Sequence, residues 1–153
     1  MPLSFEKYLL LFSSELELIK ISNCIMNKLI IDAVKDKIFF MIITNDINHY
    51  ITYENTKINF EKMIVLMDEF LLSKNMKIND ISKIYVNRGP GSFAGIRNSL
   101  STIKAIHLVK KIDYYCYSFN DFEGVKDIKY ENIPILCDKF KVKKNLINPI
   151  YIS

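Results

Sequence analysis

Both arginines of the chain and three of its four glycines fall between Arg88 and Arg97, in the run Asn87-Arg88-Gly89-Pro90-Gly91-Ser92-Phe93-Ala94-Gly95-Ile96-Arg97. Elsewhere isoleucine, lysine and asparagine dominate, with 25, 19 and 14 copies among 153 residues. A coding sequence drifting toward A and T replaces arginine by lysine wherever chemistry permits, so this window resists the drift. Before it stands the apolar run Ile84-Tyr85-Val86, and after it a stretch with helical periodicity. The window is therefore a strand-to-helix turn, where glycine frees the backbone and helix amides point outward.

The same periodicity reasoning organises the rest. Leu29–Ala33, Ile38–Thr44 and Tyr50–Tyr53 read as three strands in an antiparallel meander. Phe60, Met63, Ile64, Met67, Phe70 and Leu71 then recur at steps of three and four, which predicts a helix running to Lys74 with Asn59 as its N-cap. Val65, Leu66 and Leu72 widen its apolar arc beyond what one sheet face needs. After the glycine window a second helix carries Ile96, Leu100, Ile103 and His107 on one line as far as Lys110, and Ile112–Tyr117 forms a strand parallel to Ile84–Val86. Phe119–Val125 reads as one helical turn, Ile133–Cys137 as another strand and Pro149–Ile152 as an extended end. Residues 1–25 stand apart as an N-terminal extension. Met26-Asn27-Lys28 leads into the first strand as a start codon would, so the preceding stretch is either an over-long reading of the gene or a lineage-specific helix.

Chemistry is sparse. The glycine window lacks the Lys-Ser or Lys-Thr of a nucleoside-triphosphate loop and the spacing of a dinucleotide fingerprint, so a phosphate cradle and a tight packing turn both stand as readings. Ser92 has no base beside it in the sequence, and His49 and His107, the two histidines, form no triad. Asp32 ends the first strand where an actin-like ATPase places a carboxylate, but with no partner acid a turn role is the better reading. Cys24, Cys116 and Cys137 are far apart, which suggests neither a disulfide framework nor a metal site. No run approaches the length of a membrane span. A soluble protein of a reducing cytoplasm is the expectation. The formal charge of +4 permits RNA contact without arguing for it.

The nine residues Gly89 to Arg97 match, with only Ala94 changed from threonine, the signature of the TsaB (YeaZ) family, which the chain resembles from residue 26 to about 120. The opening strand ending in Asp32 and the closing Pro149-Ile150-Tyr151-Ile152 have counterparts there too. Ala33-Val34, where the family has small hydroxyl residues, and Asn59, where it often has histidine, depart from the pattern. The resemblance implies an α/β, actin-like (ribonuclease H-like) N-terminal lobe over 26–120. Its sheet is mixed, with three antiparallel strands and then parallel crossovers, and 121–153 is a strongly reduced remnant of a second lobe.

It also implies a non-catalytic subunit, without cofactor or metal, that supports a TsaD-like catalytic subunit in forming threonylcarbamoyladenosine at position 37 of tRNA. A TsaE-like ATPase joins that assembly, and any tRNA contact is indirect. Carried onto this chain, the partner surface comprises Phe60, Met63, Ile64, Met67, Phe70 and Leu71 on one helix and Arg97, Leu100, Ile103 and Lys104 on the other. The signature loop, Gly89, Pro90, Gly91, Ser92, Phe93 and Gly95, shapes the start of the second. Self-pairing of these helices when TsaD is absent is a further expectation. The alternative is a small nucleotide-binding protein or ATPase that uses the Gly89–Gly95 loop for phosphate.

Overall fold

A computed structural model describes residues 27–152; the extension read at 1–25 lies outside them. The sheet has five strands: β1 (Lys28–Asp32), β2 (Lys37–Ile43), β3 (His49–Glu54), β4 (Lys83–Asn87) and β5 (Asp113–Tyr117). Their order is β3-β2-β1-β4-β5. The β1–β2 and β2–β3 pairs are antiparallel, while β4 joins β1 and β5 in parallel. As the middle strand, β1 is covered on both sides of the sheet and is apolar on both, the pattern of a central strand rather than an edge. Leu29, Ile30 and Ile31 are all fully buried.

Each face of the sheet has its own cover. Over one lie α1 (Lys57–Glu61), α2 (Met63–Ser73) and α3 (Phe93–Lys110), where Leu29, Ile31, Phe40, Ile42, Ile84 and Val86 meet Met63, Met67, Phe70, Leu71, Ile96, Leu100 and Ile103. Over the other lies the segment after β5, with Phe122, Ile133, Leu136 and Cys137 packed on Ile30, Met41, Tyr85 and Tyr117. The result is an α/β mixed sheet with three antiparallel strands followed by parallel crossovers, as the actin-like reading requires.

Three local expectations are corrected. The first helix is broken at Lys62, which has φ −96° and ψ 12°, so α1 and α2 are separate pieces. Its N-cap is Thr56, whose hydroxyl accepts from the Asn59 amide at 3.2 Å; the Asn59 side chain instead donates to the Glu54 carbonyl at 2.8 Å. Ile133–Cys137 is no strand but most of α4 (Ile133–Lys139). Pro134 sits in its first turn, where the missing N–H costs nothing. Ile133, Leu136 and Cys137 point inward while Ile135 is 67% exposed, the helical pattern of burial.

Candidate functional site

The glycine window joins β4 to α3 directly beside the β1–β2 turn. Ser92 caps α3: its hydroxyl accepts from the Gly95 amide at 3.2 Å. The Ser92 amide donates to the Val34 carbonyl at 2.8 Å, and the Gly89 amide to Asn87 Oδ1 at 3.0 Å. A Cβ on Gly91 would overlap the Val34 carbonyl oxygen, and one on Gly95 the Ala33 carbonyl oxygen. The loop is thus pressed against backbone. The Gly89, Ser92 and Gly95 amides have partners within the chain, and the space beside Gly91 and Gly95 is filled by the Val34 and Ala33 carbonyls, which favours the packing turn over the phosphate cradle.

Asp32, the one acid in a catalytic-looking place, is 1% exposed and shared by three donors. Its Oδ1 accepts from the Val34 amide at 3.1 Å. Its Oδ2 accepts from Asn87 Nδ2 at 3.0 Å and from the Tyr130 hydroxyl at 2.7 Å. Tyr130 arrives from the cover of the far sheet face and stacks on Phe39, with ring centroids 4.2 Å apart. Burial, and then Asp32, push the Tyr130 phenol far above its ordinary range, so it stays a donor. Asp32 therefore makes the turn that its place in the sequence suggests, and in addition ties the far cover to the strand ends. Nothing local in the sequence marks Tyr130 as its partner, 98 residues away.

The remaining nucleophile and ligand candidates are dispersed. His107 Nδ1 lies 2.9 Å from the Ile112 carbonyl oxygen and its ring meets Tyr114 edge-on, a partly buried packing role. His49 begins β3. Among the described residues no group of three or more histidines, cysteines or acids is placed to hold a metal ion, and no helix is long and apolar enough to cross a membrane. Cys116 and Cys137 are buried, and burial pushes both thiols up to about 12. Since the thiolate is the nucleophile, iodoacetamide at about pH 8 is expected to leave both unmodified in the folded protein and to alkylate both in urea. Peptide mass spectrometry before and after unfolding checks this; prompt native labelling of either would contradict the packing.

Of the helix residues expected to face a partner, most turn inward. Phe60, Met63, Met67, Phe70, Leu71, Leu100 and Ile103 are buried in this chain's own core. The reason is that steps of three and four mark the stripe facing the nearest apolar surface, here the sheet. Ile64, Arg97 and Lys104 are exposed. With Val65, Leu72, Ala105, Leu108 and Val109, which are also exposed, they form an outer face. Between α2 and α3 this face is cut by an apolar groove of about 420 Å³, lined by Ile64, Val65, Leu71, Ala105, Ile106 and Val109 among others. A second depression toward the start of α3 holds Lys57, Glu61, Ala94, Arg97, Asn98 and Ser101. Along all of α3 there is no acid, against Arg97, Lys104 and Lys110.

The two arginines part ways. Arg88 Nη2 pairs with Asp121 Oδ1, 2.6 Å away, and its Nη1 donates to the Asn148 carbonyl at 3.1 Å. Arg97 instead lines the second depression.

Residues 54–124, which hold α1, α2, β4, the loop, α3 and β5, match the family described as TsaD, tRNA N6-adenosine threonylcarbamoyltransferase. No curated protein matches the sequence. Among solved structures, YeaZ from Pseudomonas aeruginosa is similar over 61% of this chain and 44% of its own, with 13% identity and a TM-score of 0.56. A second structure, of an uncharacterized protein with similarity to peptidase YeaZ from Pseudomonas aeruginosa, is similar over 61% of this chain and 43% of its own, again at 13% identity and a TM-score of 0.56. The chain spans less than half the length of either. At that identity the likeness is one of fold, and it agrees with the resemblance carried by Gly89–Arg97.

Proposed function

We propose that this chain, which has the YeaZ (TsaB) fold over part of its length, is a non-catalytic scaffold that docks a TsaD-type subunit through the outer face of α2 and α3. The observation that carries the reading is that face itself. A monomeric helix layer normally ends in polar side chains, whereas here an apolar groove is continuous with a basic helix edge. The partner's match is a helix pair with an apolar ridge and acidic flanks, and the product of the assembly is threonylcarbamoyladenosine at position 37 of tRNA.

The match of residues 54–124 to the TsaD family supports the pairing, because related lobes that share a helix layer pack naturally against each other. Within this proposal 26–120 is the docking lobe, and the segment after it packs on the far face of the sheet. A TsaE-type ATPase joins the assembly, tRNA is reached only indirectly, and the complex works in the cytoplasm. Without its partner the same face pairs two copies of the chain. The signature loop is architectural in this reading, seating the first turn of α3 against the end of β1 so that Arg97 stands at the rim of the interface.

Calorimetric titration of the purified chain with the TsaD-type subunit of the same organism tests this. Association at micromolar concentration or tighter is expected, and Arg97→Glu, which reverses an exposed charge at the rim, is expected to weaken it by about tenfold or more with a steeper loss at low salt. A flat titration with the unaltered chain sinks the proposal.

A further inference from the structure

Residues 145–151 belong to no strand or helix, yet they are fastened along their length. Just before them Lys144 bridges Tyr115 in an antiparallel sense. Asn145 takes the place of a strand residue beside β5: its amide donates to the Tyr114 carbonyl at 2.8 Å, its Oδ1 accepts from the Tyr114 amide at 2.9 Å, and its Nδ2 donates to Asp113 at 2.8 Å. The segment then leaves β5 and crosses to the end of β4. There the Asn148 carbonyl accepts from the Arg88 guanidinium at 3.1 Å, and the Ile150 amide donates to the Arg88 carbonyl at 2.8 Å. Two residues of tail thus grip one residue beside the signature, by its side chain and by its backbone.

Gly89 fits the same contact. Its φ is +110°, and a Cβ there would overlap the Ile150 carbonyl oxygen and come within 2.9 Å of Ile96 Cδ1. Beyond it the Tyr151 ring meets Phe93, with centroids 5.0 Å apart, on the first turn of α3. Phe93 is one helical turn from Arg97.

We propose that residues 145–151 are a strap whose docking site is the signature loop, and that strap and loop order each other. The first glycine of the signature is there to let the strap's backbone in, the Arg88 side chain is the clasp, and Asp121 holds the clasp from behind through the 2.6 Å ion pair. Arginine rather than lysine is needed because one planar fork serves a carboxylate and a carbonyl at once. The strap thereby braces the turn that starts α3, adding to the hold of the β1–β2 connection on the same loop.

Coupling of this kind is reciprocal, and native-state hydrogen exchange on the full chain reads it residue by residue. In the unaltered protein the Ile150 amide is expected to be protected. Ile150→Pro removes that donor and leaves every residue of the loop unchanged, and exchange at the Arg88, Gly89 and Ser92 amides is expected to quicken by roughly tenfold, the worth of one hydrogen bond, while the β1–β2 amides keep their protection. Gly89→Ala is expected to free the Ile150 amide in turn; should that variant not fold, Ile150→Pro decides alone. An Ile150 amide that exchanges at the free-peptide rate in the unaltered protein overturns the strap. So does Ile150→Pro with loop protection unchanged, since the tail would then be a passenger.

Discussion

Gly95→Ala is expected to lower the unfolding free energy by about 3 kcal/mol, against the rule that alanine stabilises a helix by about 1 kcal/mol relative to glycine. The two effects oppose each other and the magnitudes decide. Gly95 sits in the first turn of α3 with its amide on the Ser92 hydroxyl, and its helical backbone would accept any residue. The objection is contact: the added methyl would overlap the carbonyl oxygen of Ala33, a backbone atom held by the β1–β2 turn. No flexible side chain can swing away. Relief requires α3 to lift from the sheet, and Ile96, Leu100 and Ile103 leave the core with it. Urea denaturation measures the change. Gly124→Ala is the comparison: Gly124 has φ +78° with nothing within 4 Å of the added carbon, so only a left-handed alanine is strained, at about 1–2 kcal/mol. A Gly95→Ala midpoint at or above that of the unaltered chain would show that α3 approaches β1 more loosely than this contact implies.

How much of the fold is legible in the sequence depends on whether the signal is local. The β-branched runs of β1 and β2 and the three-and-four spacing of α2 are local, and those elements lie within the ranges the patterns mark, although the first residue of the helical pattern, Phe60, belongs to the separate α1. The signature window announces a strand, a turn and a helix, and its glycines announce close packing. The second cover of the sheet is not legible. Phe119, Phe122, Tyr130 and Phe140 show no periodicity, because they reach the far face from turns and one short helix rather than from a regular element. The Ile133–Cys137 run imitates a strand through its apolar density, although Pro134 within it already argues against a strand interior. Thr56 is hidden as a cap because Lys57 and Ile58 after it have no amphipathic pattern to mark a helix start.

The candidate interface shows how a strong signal can point to the wrong side of a helix. The clearest periodic stripe, Phe60 to Leu71, names the side that is buried first, and in a lobe with its own sheet that side belongs to the core. The proposed docking surface is the apolar remainder: Val65, Leu72 and Val109 break the expected polar back of their helices and stand exposed. The useful signal is the width of the apolar arc, together with the absence of acids on α3. Arg97 is found by a different route, as an arginine retained in a chain that otherwise uses lysine. It proves to be the exposed member of the pair, while Arg88 is consumed by the clasp.

Ala105→Glu is the substitution expected to separate docking from folding most sharply. Ala105 is exposed and lines the groove between α2 and α3 with Ile64, Val65 and Val109. Glutamate is nearly as good a helix former as alanine, so the isolated chain is expected to lose only about half a kcal/mol and to melt almost unchanged. In the proposed complex the same carboxylate would be enclosed under the partner's apolar ridge, in a groove whose lining is apolar apart from Asp68 and Lys110 at its border. An unpaired charge buried in this way costs about 3 kcal/mol or more, which is about a hundredfold or more in affinity for the TsaD-type subunit. Tyr50→Ser, at an exposed position on the β3 edge of the sheet, changes a large aromatic yet is expected to leave affinity as it was. If Ala105→Glu binds as tightly as the unaltered chain while Tyr50→Ser does not, the docking face lies on the β3 edge and the α2–α3 groove has no part in it.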